Sequence, residues 1–133
     1  MRVLFDTSVL IALFLKETGW QRVLALLQDE SIVVMFARVS VTEFARRLHF
    51  LNQSASQIQF FMLEMRALIT EVVVIDEAIA EFAFELYRAT PERLPTLDSL
   101  IAAAASSKGA VLVHRDKLFN AIPASLLLQE YLS

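Results

Sequence analysis

Four acidic residues, Asp6, Glu43, Asp98 and Asp116, stand where a strand-like run ends or a helix-like run begins. Each has an ordinary structural reading. Asp6 suits a helix N-cap, Glu43 the third position of a capping box, Asp98 the first turn of a helix, and Asp116 a turn. Brought to one place, they would do something else. Carboxylates about 4 Å apart repel by about 4 kcal/mol per pair at an effective dielectric of 20, so a cluster of four persists only with bound protons or a cation. An all-oxygen donor set without Cys or His suits Mg²⁺ or Mn²⁺ rather than zinc. The chemistry to expect of it is metal-assisted hydrolysis.

The elements around these acids determine whether they can meet. Short apolar runs at 2–5, 32–36, 72–75 and 110–113 alternate with segments of helical period. That alternation predicts an α/β fold with a largely parallel sheet whose strands are covered on both faces. Asp6 follows the first of these runs directly and Asp116 follows the last, which places both at carboxyl ends of strands, the edge where open α/β sheets bind ligands. Capping-box spacing at Thr18 and Gln21, Ser40 and Glu43, and Ser54 and Gln57 predicts three helix starts. Asp76 is expected to cap a helix over 77–89. An Ala-rich helix over 98–108 turns into the last run at Gly109, so it must run antiparallel to that strand, with Asp98 at the carboxyl edge. The loop 90–97 is long enough to return the chain there. Glu43, at a helix start just beyond the second run, joins the same rim. Helix direction in 17–30 and 52–70 does not follow from the sequence.

Length and composition narrow the classes. A chain of 133 residues predicts one domain spanning 1–133. With 56% apolar residues and 20% charged it can bury an ordinary core. The formal charge of -3 means that any nucleic-acid contact must come from a local basic patch or a metal. No Cys is present, which removes disulfides, thiolate zinc sites and cysteine nucleophiles. No apolar run approaches the roughly 18 residues of a membrane span, and Asp6 interrupts the place of a signal-peptide core. The expectation is a cytoplasmic protein without a membrane. A mean hydropathy of +0.54 exceeds what a lone small domain needs and predicts an oligomer or a partner.

Four motifs, in order, carry a resemblance: Val3-Leu4-Phe5-Asp6-Thr7-Ser8-Val9-Leu10-Ile11, Ser40-Val41-Thr42-Glu43, 94–105 around Leu97-Asp98-Ser99, and Val113-His114-Arg115-Asp116-Lys117-Leu118-Phe119. The chain resembles the PIN-domain family over essentially its whole length, and within it the VapC-type toxins of bacterial and archaeal toxin-antitoxin pairs. The resemblance implies a three-layer α/β/α sandwich with a central parallel sheet of four to five strands. It also implies a Mg²⁺- or Mn²⁺-dependent endoribonuclease, a homodimer, and a small antitoxin that covers the site. The family's acids carry over onto Asp6, Glu43, Asp98 and Asp116, and the hydroxyl after its first Asp onto Thr7 or Ser8. Members commonly have a second Asp two positions beyond the first in the last motif, where this chain has Leu118.

The expected reaction is hydrolysis of an RNA phosphodiester, with Asp6, Asp98 and Asp116 holding the ion and Glu43 orienting water or completing the shell. Thr7, Ser8, Arg46 and Arg115 are the candidates for contacting substrate phosphates, with Arg47 and Lys117 read as solvated. His49 and His114 read as surface or packing residues. Phe50, Phe60, Phe61, Met62 and Met65 read as helix-hairpin packing, some of them open to an antitoxin helix.

Other readings fail on particular residues. A haloacid-dehalogenase-like phosphatase needs a second Asp where this chain has Ser8, and a receiver domain needs neighbouring acids and a mid-sheet phosphoacceptor that cannot be placed. A PIN-like scaffold without activity, or a PIN-like nuclease outside a toxin-antitoxin pair, stays open. The four acids together speak against the scaffold, and the chain lacks room for the threading arch of a flap nuclease.

Overall fold

A computed structural model describes residues 1–133. Five strands, β1 (Arg2–Phe5), β2 (Val33–Ala37), β3 (Glu71–Val73), β4 (Val111–His114) and β5 (Gln129–Tyr131), form one sheet in the order β3-β2-β1-β4-β5. Every neighbouring pair is parallel, with Phe5 beside Phe36 and Val113, and Phe36 beside Val72. Strand order reverses direction between β1 and β4, and such a reversal leaves a crevice at the carboxyl edge of the sheet.

Six helices cover the sheet: α1 (Thr7–Leu15), α2 (Trp20–Gln28), α3 (Val39–Phe50), α4 (Ala55–Leu68), α5 (Glu77–Ala89) and α6 (Thr96–Ser107). Strand side chains alternate between faces, and the core divides accordingly. Leu4, Met35, Ala37, Val73 and Leu112 meet α5 and α6, whereas Val3, Phe5, Val34, Phe36 and Val113 meet α1, α2, α3 and α4. The result is the expected α/β/α sandwich. Small side chains let α6 lie close to the sheet, for Ala102, Ala103, Ala104 and Ala105 are all fully buried. No helix is long and apolar enough to cross a membrane.

Local signals were partly correct. Ser54 and Gln57 form the capping box of α4, and Asp76 Oδ1 accepts the Ile79 N–H at 2.8 Å at the start of α5. Gly109, at φ +62°, makes the turn from α6 into β4. Two expected boxes do not form. The first residue of α2 is Trp20 behind Gly19, not a helix capped by Thr18, because Gly19 at φ +93° turns the chain there. Residue Ser40 lies inside α3, which begins at Val39, so Glu43 stands in the second turn and not the first. Helix α6 begins two residues before Asp98. Strand β3 spans Glu71–Val73 and stops before 74 and 75, its end fixed where the Arg38 N–H donates to the Val73 carbonyl. Strand β5, three residues of polar and aromatic character, has no signature among the apolar runs.

Candidate active site

The carboxyl ends of β1 and β4 are tied together before any side chain is considered. The backbone N–H of Asp6 donates to the Val113 carbonyl at 3.0 Å. Asp6 then caps α1 while staying extended, at φ -70° and ψ 158°. By strand alternation its side chain follows Leu4 toward the α6 face. It is 6% exposed, and burial pushes its carboxyl above the usual range, against the lowering pull of hydrogen bonds from Ser8.

Ser8 links the two strand ends. Its hydroxyl donates to Asp6 Oδ2 at 2.7 Å and accepts the backbone N–H of Arg115 at 3.2 Å. Beyond Arg115, Asp116 caps the 3-10 turn Lys117–Ala121, with Oδ1 accepting the Leu118 N–H at 3.0 Å. The capping roles expected for these acids are therefore real, and they fix each carboxylate at the rim.

Asp98, in the first turn of α6, brings the acids into one electrostatic unit. Its carboxyl is pushed up to about 7, first by burial and then by the negative charge of Asp6, Asp116 and Glu43, with a hydrogen bond to Asp116 also favouring the protonated form. Four carboxylates from four segments, β1, α3, α6 and the end of β4, thus act on one another. No three of these carboxylates stand together as a group that could hold one metal ion. The donor set is oxygen only. Two buried hydroxyls beside it, Thr7 Oγ1 next to Asp6 and Ser40 Oγ one helical turn before Glu43, have no hydrogen-bond partner. In ligand type, an all-oxygen donor set of this kind is one that a hard divalent cation takes.

Arg115 pairs with Glu17 at 2.7 Å, so a phosphate would have to compete with that carboxylate. Arg46 lies over the Phe50 ring, 5.3 Å from its centroid. His49 is exposed. His114 is fully buried, its ring against Phe119 and Tyr131, and burial holds its pKa below the usual value. The aromatic set divides: Met65 is buried and Phe61 stacks on Phe14, while Phe50 and Phe60 face solvent, 64% and 55% exposed.

One contributor escaped the sequence reading. Gln129 on β5 donates from Nε2 to the Phe119 carbonyl at 3.0 Å and places Oε1 2.8 Å from His114 Nε2. Its amide therefore holds the 3-10 turn that carries Asp116 against the end of β4. A polar residue near the C-terminus gives no periodic signal of such a brace.

The profile of the PIN domain family matches residues 3–124. No curated protein matches the sequence. Among solved structures, VapBC2 from Rickettsia felis bound to a DNA fragment from its promoter is similar at 16% identity over 100% of both chains, with a TM-score of 0.79. VapBC-1 from nontypeable Haemophilus influenzae shares 19% identity over 98% of each chain, with a TM-score of 0.75. The sarcin-ricin loop cleaving toxin VapC20 of Mycobacterium tuberculosis shares 21% identity over 90% of this chain and 93% of its own, with a TM-score of 0.70. At these identities the likeness is one of fold.

Proposed function

The chain belongs to the PIN-domain family, and from that premise we propose that it is a divalent-metal-dependent endoribonuclease, the toxin of a toxin-antitoxin pair. The observation that carries the reading is the placement of four acids from distant segments: Asp6 and Asp116 at strand ends joined through Ser8, and Asp98 in the first turn of α6 near enough to both, and to Glu43, to feel their charge. Asp6, Asp98 and Asp116 would hold the ion, with Glu43 orienting the attacking water or completing the shell. A bound Mg²⁺ or Mn²⁺ would supply Lewis-acid polarisation of the phosphoryl group and a water acidic enough to attack near neutral pH. The Ser8 hydrogen bond would hold the Asp6 carboxylate for this role, and the Leu118 N–H would do the same for Asp116. Positive groups near the rim, among them Arg46, would meet the phosphates of the strand. No protein nucleophile is needed, which agrees with the absence of Cys and the burial of His114.

Partner and assembly follow the same reading. The exposed Phe50, Phe60 and Leu63 lie on α3 and α4, an apolar face of the kind that an amphipathic antitoxin helix covers. A homodimer in the cytoplasm is the state we infer for the free toxin.

The test is cleavage of a structured RNA by wild type, Asp6→Asn and Asp98→Asn, each with Mg²⁺ and with EDTA. Cleavage by wild type alone, and only with metal, supports the reading. Activity that survives both the substitutions and chelation ends it.

A further inference from the structure

A cavity of about 340 Å³ opens between α3, α4 and β3, lined by Arg38, Val41, Thr42, Met65, Arg66 and Val72. None of these residues belongs to the acidic site. The register places the cavity close to it. Phe5 pairs with Phe36, so Asp6 lies opposite Ala37, and Arg38 follows Ala37 as the residue that opens α3. With neighbouring strands about 4.8 Å apart, the end of β2 that leads into Arg38 lies beside the end of β1 that leads into Asp6. The cavity faces the α3 and α4 side and Asp6 the α6 side, so the two open around one edge of the sheet.

Its walls have two characters. Val41, Met65 and Val72 make an apolar floor, part of the cluster under α3 and α4. Arg38 and Arg66, both exposed, supply positive charge at the mouth. The ion pairs of the chain use Arg22, Lys108 and Arg115, so both guanidiniums are free of carboxylate partners. In a chain of net charge -3, two unpaired arginines around an apolar recess beside an acidic rim suit a ligand that is both anionic and flat. A nucleotide is such a ligand: arginine forks phosphate oxygens, and a splayed base can lie on apolar side chains.

We propose that this cavity holds a nucleotide of the RNA strand next to the cleaved linkage, with Arg38 and Arg66 on its phosphate and its base against Val41, Met65 and Val72. The proposal rests on the nuclease reading and adds a subsite outside the catalytic acids. Seating a neighbouring nucleotide fixes the path of the strand across the edge, which affects binding of long substrates and leaves small ones untouched.

Fluorescence anisotropy with a labelled single-stranded RNA, on Asp98→Asn protein to prevent cleavage, tests it against added Arg38→Gln, Arg66→Gln and the pair. Both arginines are exposed, so folding should survive, and circular dichroism checks this. The expected result is a several-fold loss of affinity for each, with the slope of log K against log salt flattening by about 0.7 per arginine removed. In otherwise wild-type protein, hydrolysis of bis(p-nitrophenyl) phosphate with Mn²⁺ should be unchanged by either variant while KM for RNA rises. Unchanged RNA affinity and salt slope in the double variant overturns the subsite. So does a variant that loses binding to polyglutamate but keeps binding to RNA, which would mark an acidic-peptide site instead. Wild type that hydrolyses neither substrate, with arginine-dependent RNA binding intact, would sink the nuclease reading and leave the subsite standing.

Discussion

The Ser8 hydroxyl lies 2.7 Å from Asp6 Oδ2, and this short hydrogen bond holds the most buried acid of the site in place. The Ser8 Oγ also accepts the Arg115 N–H, so one side chain couples the end of β1 to the end of β4.

Ser8→Ala removes both bonds and leaves the Arg115 N–H without an acceptor. A stability loss of about 1–2 kcal/mol is expected, seen as a Tm lower by several degrees. RNA cleavage should fall further than the lost stability explains, because Asp6 is then free to turn. Wild-type cleavage by Ser8→Ala would show that Asp6 needs no such restraint.

The pH dependence of stability follows from Asp98, whose folded carboxyl titrates near 7 while its unfolded one titrates near 4. The folded state therefore binds the extra proton. Its contribution is fully present below the unfolded value and is lost as pH rises through about 7. His114 acts in the opposite sense: burial lowers its pKa, so its contribution is present above the ordinary histidine value and is lost as pH falls from there through the lowered folded one. Comparing wild type with Asp98→Asn isolates the acid. Urea midpoints in EDTA should show Asp98→Asn gaining stability over wild type at pH 8 and much less at pH 5. An equal difference at both pH values would contradict the raised carboxyl.

The Gln129 brace fixes a tautomer. Since its Nε2 donates to the Phe119 carbonyl, its Oε1 must accept, and His114 carries its proton on Nε2. Nitrogen chemical shifts of His114 should report the neutral Nε2–H form. Gln129→Met should cost about 1–3 kcal/mol by leaving buried polar groups unpaired. A His114 protonated on Nδ1 would rule the brace out.

Two glycines separate strain from crowding. Gly19 sits at φ +93°, and a Cβ there would meet Leu132 Cγ at 2.7 Å. Gly109 sits at φ +62° in open space. Gly109→Ala should therefore cost about 1 kcal/mol from backbone strain alone, and Gly19→Ala clearly more. Thermal unfolding of the two variants measures this, and equal losses would mean that the Leu132 contact is soft.

Much of this arrangement is legible in residue order. Runs that are almost wholly apolar mark β1, β2 and β4, since strands covered on both faces bury nearly every side chain. The step from Phe5 to Asp6 marks the carboxyl edge of the sheet because a charge cannot continue such a strand. Gly109 orients α6, and with it Asp98, because so short a turn permits only reversal. What stays hidden depends on tertiary contacts. Strand β5 is held by pairing with β4 rather than by its own hydrophobicity, and Gln129 matters through partners 10 and 15 residues away. Ser40 matches a capping box in spacing, yet α3 starts earlier and buries it. Glu43 reaches the rim all the same, since a shift of the helix start moves its label and not its face. Arg38 and Arg66 belong to one cavity only through the packing of α4 against α3, which no local pattern encodes.

Calorimetric titration of Mn²⁺ at pH 6, in buffers of differing ionisation heat, tests the central claim most directly. If the four acids form one cation site, wild type binds and releases protons, because Asp98, titrating near 7, and Asp6, raised by burial, must both be ionised to take up the ion. Asp6→Asn and Asp98→Asn should each bind more weakly and release fewer protons than wild type. Folded wild-type protein that takes up no Mn²⁺, or binding that none of the acid substitutions alters, would contradict the account.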